Sequence, residues 1–316
     1  MAVYTKLEKR DIKNILKEYD LKLIQFKPEK GGASNTNYLL KTNKGKMMLS
    51  VAEDFSEKEA KLWAKKLNWL TKNGFRTTTL IKTKKGKLIT AFNKKPVLLK
   101  KYLSGYVLTE ASLKNYREIG AGLAKLHLIP VPKFLRKQFF FDNPLYVEVI
   151  GKNIDIKYER WLEKRLEHFD KNLPENLPKG LIHSDLFLDN VLFKNGHFKT
   201  ILDFEDAGHY YFVFDLGTTI VGSCFDGEQL NFKKAKALLK GYQTVRKLKK
   251  KEIKALQIYT EYAGVMWSSW RIWKYHIKEP GHERAGSHRT MMRMAKSVQK
   301  MKKKKFFKRL GLRKFH

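Results

Sequence analysis

The residues best able to do chemistry lie in one island, GLIHSDLFLDNVLFKNGHFKTILDFEDAG, which opens at Gly180. His183-x-Asp185 is followed by Asn190 in an H-x-D-x-x-x-x-N spacing, and Asp203 stands beyond it in Ile201-Leu202-Asp203-Phe204-Glu205. A carboxylate such as Asp185 can accept the hydrogen bond and the proton of a hydroxyl group. Asn190 and Asp203 offer hard oxygen ligands suited to Mg2+, which keeps several waters and bridges phosphate oxygens. The chemistry this set can do is phosphoryl transfer, which needs an acceptor held in line and metal ions that neutralise phosphate charge. The apolar segments 191–193 and 200–202 predict two short strands with a turn at 194–197. That hairpin would bring Asn190 and Asp203 to the same end, with Glu205 close enough to support them.

H-x-D alone is a weak signal. Here the spacing to Asn190, the two half-strands and the following D-F-E agree with one another, as the catalytic loop of a kinase requires. His183 has a suitable pKa for a general base, but in this pattern it reads as a bracket between the catalytic loop and the metal-binding segment. His197, in the turn, reads as solvent-exposed.

The elements that must position these residues fall into two regions. Helical spacing at Leu7, Ile12, Ile15, Leu16 and Tyr19 predicts a helix over 6–19. Strands come next over 22–26, 37–42 and 46–52, the last two joined by the turn Asn43-Lys44-Gly45. A helix over 56–73 has Ser56 as its cap with Glu59 three residues on, and Gly74 closes it. Short strands over 80–82, 88–92 and 96–102 complete a β-rich region. Beyond Ser104-Gly105 the chain is mostly helical, over 112–128, 156–173, 232–246, 251–277 and 289–304. The expectation is an α+β, two-lobed, protein-kinase-like fold, with a nucleotide-binding lobe over 1–102 and a helical lobe over 103–316 that carries the catalytic loop and the acceptor site.

Gly31-Gly32-Ala33-Ser34-Asn35 sits between two predicted strands. Small residues there allow backbone N–H groups to approach phosphates, and Ser34 or Asn35 can add donors. The strand that ends at Tyr102 leads into the connector, where backbone groups from Lys101 to Leu103 would meet an adenine edge. ATP with Mg2+ is the implied cofactor.

Composition narrows the partners. The chain has 316 residues, of which 42% are hydrophobic and 13% aromatic, enough to sustain a core. One cysteine, Cys224, excludes an internal disulfide and a thiolate zinc site. The opening segment is polar and helical in pattern, and no apolar run has the length of a membrane span, so a soluble cytoplasmic protein is expected. A net charge of +35 could attract nucleic acid or anionic membrane. The basic residues are spread along the whole chain, however, whereas a nucleic-acid binder concentrates them on one face. No specific nucleic acid and no membrane is therefore expected as partner. The dense block Lys302–Lys305, with Lys308 and Arg309, reads as a solvated tail.

The segments GGASNTNYLL, HSDLFLDNVLF and LDFEDAG with FDLGTTIVGSCFD resemble the homoserine kinases of the aminoglycoside-phosphotransferase-like type. The opening MAVYTKL and GYQTVR are similar to that family too, so the resemblance runs in patches from end to end. It implies phosphorylation of L-homoserine by ATP to O-phospho-L-homoserine, in threonine biosynthesis, with Asp185 as base and Asn190 and Asp203 as metal ligands. Two departures stand out. Met48-Leu49-Ser50-Val51 occupies the place of the strand lysine that pairs with the ATP phosphates, leaving Lys46 or Lys61 to replace it with Glu57 or Glu59 as partner. Asp203-Phe204-Glu205-Asp206 also departs from the aromatic-rich sequence of many homoserine kinases.

An amino-acid acceptor needs a cation for its carboxylate and an acid for its ammonium. Arg271 and Glu261, on one helix with Trp267 and Trp270 between them, are the candidates. Another small hydroxyl acceptor, such as an aminoglycoside, a choline-like alcohol or a sugar, is the near alternative. A basic nucleic-acid-binding protein or a non-catalytic kinase-like protein is the alternative of another class, and the presence of Asp185, Asn190 and Asp203 together disfavours it.

Overall fold

The computed structural model describes residues 5–29, 35–136, 139–142 and 147–312. The chain divides into two compact units, Met1–Gly105 and Tyr106–His316.

The first unit is built on a five-stranded antiparallel sheet of β1 (Leu23–Glu29), β2 (Asn35–Thr42), β3 (Gly45–Ala52), β4 (Thr90–Phe92) and β5 (Lys95–Lys101), in the order β1-β2-β3-β5-β4. Alternation decides its two faces. Tyr38 and Leu40, Met47, Leu49 and Val51, and Val97 and Leu99 point one way. They form one core with Ile12, Ile15 and Leu16 of helix α1 (Lys9–Lys17). Helix α2 (Glu57–Lys72) begins with the expected capping box, Ser56 and Glu59 satisfying each other's backbone N–H groups. Its buried Trp63 carries the ammonium of Lys100, from the opposite sheet face, 4.9 Å over the ring.

The second unit is mainly helical: α3 (Leu113–His127), α4 (Ile156–Asn172), α5 (Phe212–Ser223), α6 (Phe232–Val245), α7 (Lys250–Ile272), α8 (Ser287–Gln299) and α9 (Lys303–Leu310). Helices α3 and α6 meet at backbone contact. A Cβ on Gly241 would stand 1.8 Å from the carbonyl oxygen of Arg117, and one on Gly120 would stand 2.0 Å from that of Leu238.

Set among the helices are three short ladders: β10 (Phe225–Asp226) with β11 (Gln229–Leu230), and the two that frame the site, β6 (Lys179–Ile182) with β9 (Gly208–Tyr211) and β7 (Val191–Lys194) with β8 (His197–Ile201). Their register positions the site. Ile182 pairs with Gly208 and Val191 pairs with Ile201. The loop 183–190 and the return 202–207 therefore run side by side from one ladder to the other.

Three elements differ from expectation. Helix α5 has no helical periodicity to read, because Phe212 to Val221 are buried all round. The long helix α7 stops at Ile272 and continues as a π-helical turn, Trp273–Lys278. The lysine block is no free tail: it winds into α9, whose Phe306, Phe307 and Leu310 are buried, with Arg309 lying 3.9 Å over the ring of Phe232 on α6. Among the described residues no helix is long and apolar enough to cross a membrane.

Candidate active site

The loop after β6 is held from behind. The backbone N–H groups of His183 and Ser184 each donate to one carboxylate oxygen of Asp215 at 2.8 Å. Two adjacent N–H groups can converge in this way because Ser184 adopts a left-handed backbone, φ 71°. Such a conformation persists only where its surroundings enforce it.

Asp215 lies in the first turn of α5 and is fully buried. Burial alone would raise its pKa, but the hydrogen bond of His127 and the donors of the loop hold it below the ordinary carboxylate value. His127 reaches it through Nε2 at 2.9 Å, while Nδ1 lies 2.7 Å from the Tyr242 hydroxyl. Arg246 donates to that same hydroxyl at 3.0 Å and forms a bidentate pair with buried Glu252 at 2.9 and 3.1 Å. Burial lowers the pKa of His127. The chain of bonds then fits one tautomer, with Nε2–H donating to Asp215 and Nδ1 accepting from Tyr242.

In front, His183 connects the two runs of chain. Its Nδ1 accepts the N–H of Asp185 at 3.2 Å, so Nε2–H donates to the carbonyl of Leu202 at 2.7 Å. Leu202 in turn donates to the carbonyl of Asn190 at 2.8 Å. These two bonds place Asp203, the next residue, beside the loop 183–190. The side-chain amide of Asn190 donates to the carbonyl of Asp185 at 2.8 Å and to its carboxylate at 3.0 Å. The amide oxygen of Asn190 is left without a protein donor among the described residues.

The carboxylate of Asp185 is raised well above the ordinary value, first by its deep setting and then by the negative charges of Asp206, Asp203 and Asp189, against the hydrogen bond of Asn190. Asp203 is exposed, adopts a left-handed backbone with φ 57°, and makes no hydrogen bond or ion pair with the described residues. An amide oxygen and a carboxylate without protein partners, amid several carboxylates, fit a hard divalent cation completed by water and phosphate oxygens.

Comparison with known proteins gives the family and the fold. Residues 25–248 match the model of the phosphotransferase enzyme family. The chain belongs to that family. It is a small-molecule kinase with a hydroxyl acceptor. A homoserine kinase of Caulobacter vibrioides is 31% identical over 268 residues, 82% of this chain and 84% of that protein. An amicoumacin kinase solved with AMP-PNP and Ca2+ superposes with a TM-score of 0.72 at 15% identity, covering 95% of this chain and 97% of its own. A choline kinase from Cryptosporidium parvum gives 0.70 at 14% identity, over 96% and 98%. These two likenesses show the protein-kinase-like fold, a β-sheet region and then a helical one.

Of the other expected site residues, Gly31, Gly32 and Ser34 lie outside the described residues. Asn35 opens β2, buried and paired with Ala52 of β3. Lys101 closes β5, its N–H given to the carbonyl of Thr79 at 2.8 Å. Leu103, half-buried beyond the strand, makes no backbone hydrogen bond with the described residues. Ser50, in the segment where a strand lysine was looked for, is fully buried and donates to the side-chain oxygen of Asn37. Lys61, and not Lys46, forms one of the expected pairs. Lys46 lies 5.7 Å over the Tyr102 ring, Lys61 is paired with Glu57 one turn away on α2, and Glu59 caps that helix.

Arg271 and Glu261 are not brought together. Ten residues of α7 separate them, about 15 Å of helical rise, beyond the span of one small amino acid. Glu261 is buried and in contact with Arg165 of α4 at 2.6 Å, so its carboxylate already serves an ion pair inside the helical core. Its expected role toward the acceptor's ammonium is withdrawn on that ground. Sequence reasoning missed Asp215 and His127. The available signal was a lone acid inside the apolar run Phe-Val-Phe-Asp-Leu-Gly, since a buried charge must be paired.

Proposed function

We propose that this enzyme transfers the γ-phosphate of ATP to the hydroxyl of L-homoserine, giving O-phospho-L-homoserine and ADP, a step of threonine biosynthesis in the cytoplasm. The observation that carries the acceptor assignment is the 31% identity to a homoserine kinase over 82% of the chain. The chemistry rests on the loop 183–190 and the return 202–207.

In this reading Asp185 takes the hydroxyl proton as the acceptor oxygen bonds to the γ-phosphorus and the bond to the β-phosphate oxygen breaks. A carboxylate within hydrogen-bond reach of the acceptor hydroxyl can take its proton as that bond forms. Asn190 and Asp203 would hold Mg2+, which when bound offsets the charge of the phosphates. Residues 1–102 would bind the nucleotide, with Asn35 beside the phosphates and the free backbone of Leu103, next to Lys101, on the adenine edge. Residues 103–316 would supply catalysis and hold the acceptor. Arg271 would receive the α-carboxylate and Asp189, in the catalytic loop, the α-ammonium that Glu261 cannot serve.

The test is ADP release by purified protein across a panel of hydroxyl compounds. L-Homoserine should be preferred to L-serine and L-threonine. Serine held by the same charges leaves its oxygen short of Asp185, and a misplacement of about 1 Å can lower the rate on the order of a hundredfold. Turnover of choline, a sugar or an aminoglycoside in place of homoserine would overturn the acceptor while leaving the kinase intact.

A further inference from the structure

We propose that Arg284 is the second arm of an anion clamp with Arg271, carried on the turn just past the π-helical segment, and that this clamp selects acceptors bearing a carboxylate over cationic ones. The proposal rests on the homoserine reading and assigns the specificity of that same site.

Arg271 is tied to the catalytic loop through α7. The ring of Phe187, two residues past Asp185, packs edge-on against Trp267 at 5.2 Å. Arg271 stands one helical turn beyond Trp267, on the same face of the helix. Its guanidinium is half-buried, and its side-chain hydrogen bond among the described residues is a long 3.5 Å approach of Nη1 to the carbonyl of Ser287. No acid pairs with it among the described residues. A guanidinium withdrawn from water without an acid is costly, and its planar fork suits a carboxylate.

The π-helical turn sets the position of Arg284. A π-turn admits an extra residue into the helix, re-aims the chain beyond it, and occurs often at functional sites. Here the chain folds back after the turn and is fastened at several points. Ala285 accepts from His276 Nε2 and His288 Nδ1, each at 2.8 Å, and Ser287 donates to the carbonyl of Arg284 at 2.9 Å. Tyr275 stacks on His282 at 4.5 Å. Arg284 thus begins the very turn whose end Arg271 touches. It is exposed and without an acidic partner among the described residues.

The electrostatics agree with the geometry. Burial lowers the pKa of Arg271 and the charge of Arg284 lowers it further, against the negative charges of Asp185 and Asp189. Two guanidinium groups that repel each other beside a catalytic carboxylate favour an incoming anion and disfavour a cation such as choline.

The experiment compares two acceptors that differ only in the carboxylate, L-homoserine and 3-amino-1-propanol, for the wild type, Arg284→Gln and Arg284→Lys, with the thermal midpoint of each variant recorded. Arg284→Gln should raise KM for homoserine about tenfold, the worth of one charge-assisted contact, leave KM for aminopropanol unmoved, and shrink the preference between them by the same factor. Arg284→Lys should recover part of the loss. Equal effects on both acceptors, or no effect on either, would overturn the clamp while the homoserine activity of the wild type stands. A wild type that prefers another hydroxy acid, with KM for that acid raised by Arg284→Gln, would remove homoserine and keep the clamp. Preference for aminopropanol or choline over every carboxylate tested would end both.

Discussion

Asp215 and His127, both fully buried, share a 2.9 Å hydrogen bond on the same carboxylate oxygen that holds the N–H of His183. The catalytic loop therefore hangs on a charge whose own partner comes from α3. Asp215→Asn replaces one acceptor with a donor facing a backbone N–H. The loop should shift, and kcat should fall about a hundredfold or more, the sensitivity expected for a displacement of about 1 Å. Stability should fall by about 3 kcal/mol or more, since His127 and a loop N–H lose their partner in the interior. Urea melts and steady-state kinetics on the one variant check both.

Gly241 offers a test of packing with no chemistry in it. Alanine there would push its Cβ into the backbone of Arg117, which cannot move as a side chain could. Gly241→Ala should lower stability by about 1–3 kcal/mol, the range for overpacked cores, or separate α3 from α6. A urea midpoint equal to that of the wild type would show that the helices do not approach so closely.

Burial raises the pKa of Glu261 to about 7, against the attraction of Arg165, from an ordinary value of 4.5. Between those two values the folded protein binds a proton that the unfolded chain has released, so stability falls as pH rises. The contribution is full below about 4.5 and is lost as pH passes about 7. Subtracting the melting curves of Glu261→Gln from those of the wild type should isolate this decline. A flat difference over that window would contradict the assignment.

Asp203 should govern the metal. Asp203→Ala should abolish productive Mg-ATP binding, and excess chelator should silence the wild type reversibly. Nucleotide binding measured with and without Mg2+ would show the variant equal in both conditions. A variant that still gained affinity from Mg2+ would place the metal elsewhere.

The candidate site was legible because its signal is local. Asn190 and Asp203 flank one short hairpin with Asp185 in the loop just before it, and residue spacing reports such an arrangement directly. The sheet region and the helices after it were legible from alternation and from the helical spacing of apolar residues. Helix α5 was not, because a helix buried on every side has no polar face to set the period. Helix α9 was hidden by its lysines, although Phe306, Phe307 and Leu310 carry the apolar face. Glu261 misled because its partner, Arg165, comes from α4, a contact distant in sequence that helical spacing cannot report. The π-helical turn that re-aims the chain after Ile272 has no sequence signature at all.

The central claim is that Asp185 drives phosphoryl transfer from ATP to L-homoserine. It is tested most directly by following 31P resonances of ATP and L-homoserine mixed with the purified protein and with Asp185→Asn. The wild type should convert the γ-phosphate resonance into that of O-phospho-L-homoserine. Asp185→Asn should do so slower by orders of magnitude while binding ATP with nearly unchanged affinity, because its side chain acts on the acceptor. Absence of phosphohomoserine with the wild type, or wild-type turnover by Asp185→Asn, would contradict the account.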